Sequence, residues 1–165
     1  MRVREDEIER ADGSPGIFGV VEKPDFALII PVDVGGEFWL VEQHRYAVGE
    51  RYWEFPQGSW EQDSKTDPAE LARGELEEET GLRAASLQHI GHLYLAYGYS
   101  TQGFDVWLAS DLEQGHPRRE TAEQDMRVRR VARDHWESML TTGEIKDSPS
   151  IAAYGLLLVH ERTTH

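Results

Sequence analysis

The chain has no cysteine among its 165 residues, so neither a disulfide nor a thiolate metal site can form. It contains no apolar run near the ~20 residues a membrane-spanning helix needs. The opening Met1-Arg-Val-Arg-Glu-Asp lacks the apolar stretch of a secretory signal. These absences lead us to expect a cytoplasmic protein. Basic residues are also in deficit: 17 Lys and Arg stand against 31 Asp and Glu, a formal net charge of -14. Such a surface disfavours non-specific nucleic-acid or anionic-membrane binding. A small phosphorylated ligand stays possible, because divalent cations can bridge carboxylates to phosphate.

The hydrophobic fraction of 39% and aromatic fraction of 10% support a packed core. We expect one domain over residues 1–165, with 1–16 as an arm or a short first strand. β-Branched and aromatic runs predict strands at Ile17–Val21, Phe26–Val32, Glu37–Glu42, Leu87–Ala96, Gly103–Ala109 and Met126–Val131. Gly35-Gly36 predicts a hairpin turn, and a loop is expected from Pro56 to Thr66. Helices are predicted from Asp67 to about Thr80, over Arg133–Thr142 and over Pro149–Arg162, the last capped by Ser148. The first has Asp67 as N-cap, Pro68 at its first position, Glu70 for a capping box and Gly81 as C-cap. The mixture predicts an α/β fold.

Glu75, Glu78 and Glu79 fall on one face of that first helix, at i, i+3 and i+4. Like charges at this spacing repel, and acids in the C-terminal half of a helix oppose its dipole. A bound hard cation removes both penalties, and oxygen-only ligands favour Mg2+ or Mn2+ over zinc. Leu71, Ala72 and Leu76 supply an apolar stripe, so the acidic face is expected to point outward. A solvated acidic helix face is the competing reading of the three glutamates alone.

The segment Gly58–Leu82 resembles the Nudix box, a glycine and a glutamate followed by Arg-Glu-U-x-Glu-Glu-x-Gly-U, where U is apolar. Glu75-Leu76-Glu77-Glu78-Glu79-Thr80-Gly81-Leu82 matches its second half completely, and Glu54-Phe55-Pro56-Gln57-Gly58 looks like the family's approach to it. The resemblance implies a Nudix-like α/β/α sandwich with a mixed β-sheet and a loop-helix-loop catalytic motif. It implies Glu75, Glu78 and Glu79 as metal ligands, with a carbonyl near Gln57 completing the shell. Glu78 and Glu79 carry the catalytic role. Glu123, with Glu120 as the alternative, is the candidate general base on a later loop. There are three departures. Gly58 and Glu75 stand two residues further apart than in the pattern, its first glutamate falls on Thr66, and its arginine falls on Gly74. In the family that arginine pairs with a box glutamate and helps orient it.

Val41–Tyr46 and Trp53–Pro56 look like the ADP-ribose pyrophosphatase-like branch. That likeness implies Arg45 as a phosphate ligand, or else an ion-paired arginine, and Glu54 as a contact to base or ribose. Gly143–Asp147 looks like the same branch, as a structural link between two helices. Tyr97 stands where that branch often has proline, and its ring is a candidate to stack on a base or to pack on the sheet. The implied reaction is hydrolysis of ADP-ribose or another nucleotide sugar. The alternatives are a dinucleoside polyphosphate pyrophosphohydrolase and a nucleotide-binding module disabled by Gly74. A homodimer through N-terminal strands is likewise implied. The seven histidines show no metal-ligand spacing, and His89 and His92 are expected on opposite faces of a strand.

Overall fold

A computed structural model describes residues 1–59, 67–117 and 125–164. The first element is a strand, β1 (Arg2–Glu9), antiparallel to β2 (Pro15–Glu22). The N-terminal arm is therefore half of a hairpin. Its turn is tied by Asp12, whose carboxylate accepts from the Ser14 N–H and hydroxyl at 3.0 and 2.7 Å. Arg4 reaches across the pair to Glu22 at 2.7 Å. Of the two readings of this segment the strand is the one that forms, and its polar composition supplies cross-strand ion pairs.

β3 (Phe26–Pro31) is a nearly continuous apolar run because both its faces are covered. It lies parallel to β8 (Gly103–Gln114) and antiparallel to β6 (Gln57–Gly58). With β7 (Leu82–Tyr94) these form a mixed sheet of order β6-β3-β8-β7. A second sheet has the order β5-β4-β9, from β5 (Glu50–Glu54), β4 (Phe38–Arg45) and β9 (Arg127–Val131). The turn at Gly35-Gly36 does form, with Gly36 N–H donating to the Asp33 carbonyl at 2.9 Å. It does not make a regular hairpin, because β3 and β4 diverge into different sheets after one bridge at Val32 and Phe38.

Side chains alternate across β3. Ala27 and Ile29 meet Ala72 and Leu76 of α1 (Pro68–Thr80) on one face. Leu28 and Ile30 enter the main core on the other face. There they join Phe38, Phe55 and Trp136 with Ala153, Tyr154 and Leu157 of α3 (Ser148–Thr164). Trp136 and Met139 come from α2 (Arg133–Thr142), which matches its expected limits and ends at Gly143. Helices thus cover both faces of the mixed sheet, the α/β/α arrangement expected. α3 is capped by Asp147 rather than Ser148: the Asp147 carboxylate accepts from the Ser150 N–H at 2.9 Å. Among the described residues no helix is long and apolar enough to cross a membrane.

Candidate active site

α1 carries the candidate ligands, and its limits agree with the local signals that predict them. The Asp67 side chain accepts from the Ala69 N–H at 2.8 Å, Pro68 opens the helix, and Gly81 closes it at φ 76°. That left-handed geometry is strained for any residue bearing a Cβ. Ala72 and Leu76 are buried against the sheet as expected.

The acidic face is not simply outward, as the amphipathic pattern implies. Glu75 and Glu79 are 7% and 1% exposed, while Glu78 is half-buried. They turn against the chain segment that precedes the box. The Gln57 N–H donates to Glu79 Oε2 at 3.1 Å. A Cβ at position 58 would overlap the Glu75 carboxylate as it now lies, so glycine lets that carboxylate come against the backbone. Glu77, between them, faces away and pairs with Arg83 at 2.6 Å. Arg73 is occupied with the Ala84 carbonyl, so it does not stand in for the arginine absent at Gly74.

Gln57 and Gly58 also line a cleft of about 410 Å³, whose other walls include Lys23, Arg45, Lys146 and Asp147. The chain has three lysines, and two of them stand here. Lys146 also lies 5.0 Å from the Tyr52 ring centroid and 3.3 Å from its hydroxyl. In so acidic a protein this concentration of cations makes the cleft the natural landing place for an anionic ligand. The Gly143–Asp147 link between α2 and α3 thus places Lys146 and Asp147 in the cleft wall.

Arg45 lines the cleft and is also ion-paired, as its alternative reading expects: it forks onto Glu54, with Nε 3.2 Å from Oε2. Glu54 is 1% exposed and also accepts from Gln43 at 2.8 Å. Burial is the main cause that raises its pKa; Arg45 opposes the rise, nearby Asp147 adds to it, and the net result is about 7. Burial works against the charge of Arg45, yet Glu54, Asp147 and Glu79 outweigh it and hold the guanidinium above its ordinary pKa. Glu54 thus sits behind Arg45 and anchors it.

Tyr97 is not brought to this cleft. It lies on the turn after β7 and is 84% exposed, while nearby Leu95 reaches the cleft wall. Glu123 and Glu120 fall outside the described residues. Asp125, which follows them, is held by Arg51, whose Nη2 donates to its carbonyl at 2.9 Å. His89 and His92, expected on opposite faces, meet on one. The register slips between His89 and Gly91, and this bulge returns both rings to Asp105, at 2.9 and 3.2 Å.

No three acidic or histidine side chains among the described residues form a ready-made metal cage. Magnesium rarely requires one; it is usually held by one or two carboxylates together with waters and substrate phosphates. The donors present are all oxygen, and two carboxylates are buried beside a glycine cradle. This donor set fits a hard divalent cation.

The NUDIX domain family model matches residues 22–153, which span the cleft, the box helix and the start of α3. The chain belongs to the Nudix family. This Nudix chain is 34% identical over 164 residues to an ADP-ribose pyrophosphatase of Mycobacterium tuberculosis, covering 98% of itself and 77% of that relative. A Bacillus subtilis ADP-ribose pyrophosphatase is 26% identical over 157 residues, covering 94% and 84% of the two chains. A crystal structure of an ADP compounds hydrolase shares the fold with a TM-score of 0.83 at 21% identity, over 98% of this chain and 85% of that one. The protein is a Nudix hydrolase, and its reaction is hydrolysis of a diphosphate linkage in a nucleoside diphosphate derivative.

Proposed function

We propose that this Nudix hydrolase cleaves ADP-ribose or a closely related nucleotide sugar, in the former case to AMP and ribose 5-phosphate, with Mg2+ as its preferred cation. One observation carries the reading: two buried box carboxylates meet the Gln57–Gly58 backbone, and that same backbone lines a cleft walled by Lys23, Arg45 and Lys146. Its relatives named ADP-ribose pyrophosphatase support the choice of sugar nucleotide.

In this mechanism Glu75, Glu79 and Glu78, with the Gln57 carbonyl, would hold the cation. When bound, the cation neutralises phosphate charge and acidifies a water. Arg45, braced by Glu54 through Nε and Nη2, offers its remaining guanidinium donors to one phosphate, and Lys23 and Lys146 receive the remaining charge. Glu123, or else Glu120, takes the proton from the attacking water. The cleft opens beside Leu95 and Phe26, which offer apolar surface to a base or ribose. We place the protein in the cytoplasm, where a cysteine-free chain needs no oxidative staple.

The test is phosphate release, coupled to phosphatase, from ADP-ribose, other nucleotide sugars, NADH and diadenosine polyphosphates, with Mg2+, Mn2+ or EDTA. Fast, EDTA-sensitive turnover of ADP-ribose over the rest is the expected result. Preference for a diadenosine polyphosphate would replace the substrate. Binding without turnover of any compound would make Gly74 the mark of a disabled module.

A further inference from the structure

The arginine that orients a box glutamate in this family is Gly74 here, and Arg73 is engaged elsewhere. Glu79 does accept from a backbone donor, the Gln57 N–H, at 3.1 Å. A backbone donor holds a carboxylate only as firmly as its own segment is held. Here the segment Phe55–Gln57 is clasped from the start of α3. The Gln57 side-chain amide donates to Asp147 Oδ2 at 3.0 Å. The same oxygen accepts from the Ser150 N–H at 2.9 Å and the Ser150 hydroxyl at 2.7 Å. Ser150 Oγ in turn accepts from the Phe55 N–H at 2.9 Å. Ser150 is completely buried, so its bond from the Phe55 N–H is shielded from competing water, while the bonds to half-buried Asp147 lie at the cleft wall. On the other side of the segment, the Ile29 N–H donates to the Pro56 carbonyl at 2.9 Å.

We infer that Asp147 and Ser150 are positioning residues of the hydrolytic site: they fix Gln57, and Gln57 orients Glu79 in place of the family's arginine. The inference rests on the reading of Glu79 as a metal ligand. It follows from two physical points. The Gln57 side chain and the Gln57 N–H belong to one residue, so releasing the amide from Asp147 frees the donor that faces Glu79. Partners that orient ligands from behind typically cost 10- to 100-fold in metal affinity or activity when removed.

Mn2+ binding, followed by the EPR signal of the free ion, tests this alongside thermal unfolding and steady-state hydrolysis of ADP-ribose. The proteins are the wild type, Asp147→Ala, Gln57→Leu and Glu79→Gln. Asp147→Ala removes the clasp and the α3 cap together. Gln57→Leu removes the clasp alone, which separates positioning from stability. The expected result is an Mn2+ Kd raised about tenfold or more in both clasp variants, with kcat falling more than KM changes. The thermal midpoint should fall in Asp147→Ala and stay near wild type in Gln57→Leu. Wild-type Mn2+ affinity in Gln57→Leu, or a loss of thermal stability alone in Asp147→Ala, would overturn the inference. Glu79→Gln separates the two levels. If it keeps wild-type Mn2+ affinity, Glu79 is not a ligand and the inference falls with that reading. If it loses affinity while the clasp variants do not, only the inference falls.

Discussion

Glycine at position 74 is the most informative single residue in the box. It stands inside α1, where it costs about 1 kcal/mol relative to alanine, and where the family places a functional arginine. Because the Gln57 N–H already meets Glu79, we expect Gly74→Arg to raise kcat less than about twofold while stabilising the helix by a few tenths to 1 kcal/mol. A kinetic comparison with matched thermal melts checks this, and a tenfold gain in kcat would show that orientation limits the present enzyme. Glu54 gives a second residue-scale prediction. Its pKa is about 7 in the folded protein, against 4.5 as an ordinary glutamate. The folded state therefore binds the proton more tightly, and Glu54 withdraws stability as pH rises from about 4.5 to 7. The difference amounts to something on the order of 3 kcal/mol. Glu54→Gln cannot ionise, so its stability relative to wild type should climb across that window and level off above it. A difference flat with pH in urea titrations would refute the assignment.

At the scale of elements, the helix that bears the carboxylates depends on how it stops. Gly81 adopts φ 76°, and a Cβ there would sit 2.7 Å from the Pro117 backbone nitrogen. Gly81→Ala therefore combines left-handed strain with a clash against the backbone just after β8. We expect a loss of about 1–3 kcal/mol, measurable by chemical denaturation. Because Glu79 lies two residues from the cap, part of the damage should reach metal binding as well. A variant as stable as wild type would mean that the adjoining loop yields freely. The bulge in β7 is a second element-scale device. It shifts the register by one residue, sends Ile90 to the main core and leaves both histidines on Asp105. A strand without it would divide those rings between the two faces.

For the whole molecule, charge and the N-terminal hairpin set the outward behaviour. The net charge of -14 repels phosphate backbones, while the cleft gathers Lys23, Arg45 and Lys146. KM for an anionic substrate should accordingly rise with ionic strength, more steeply in wild type than in Lys23→Met. Equal salt slopes in the two proteins would remove Lys23 from the binding site. The β1–β2 hairpin exposes Val3, Ile8, Ile17 and Phe18. Exposed apolar side chains on a two-stranded sheet suit an interface. We propose a homodimer formed through this hairpin. Multi-angle light scattering at micromolar concentration should give twice the 18.9 kDa chain mass, and Ile17→Asp should return the monomer. A wild-type monomer at that concentration would reject the dimer.

Local chemistry determined much of this protein. The limits of α1 and α2, the Gly81 and Gly143 stops and the spacing of the box glutamates are written in neighbouring residues, because caps and helix faces act over one or two turns. The pairing partners lay beyond that range. The first residues read equally as an arm or a short strand until Glu22 stands opposite Arg2, and the Gly35-Gly36 turn gives no sign that its strands join different sheets. Asp147 and Ser150 meet Gln57 and Phe55 across 90 and 95 residues of chain, so no spacing rule announces them. The burial of Glu75 and Glu79 likewise required the Gln57–Gly58 backbone to arrive from another strand. Sequence specified which groups the protein carries; only the tertiary contacts decided which carboxylates are held, and by what, because that depends on residues close in space and distant along the chain.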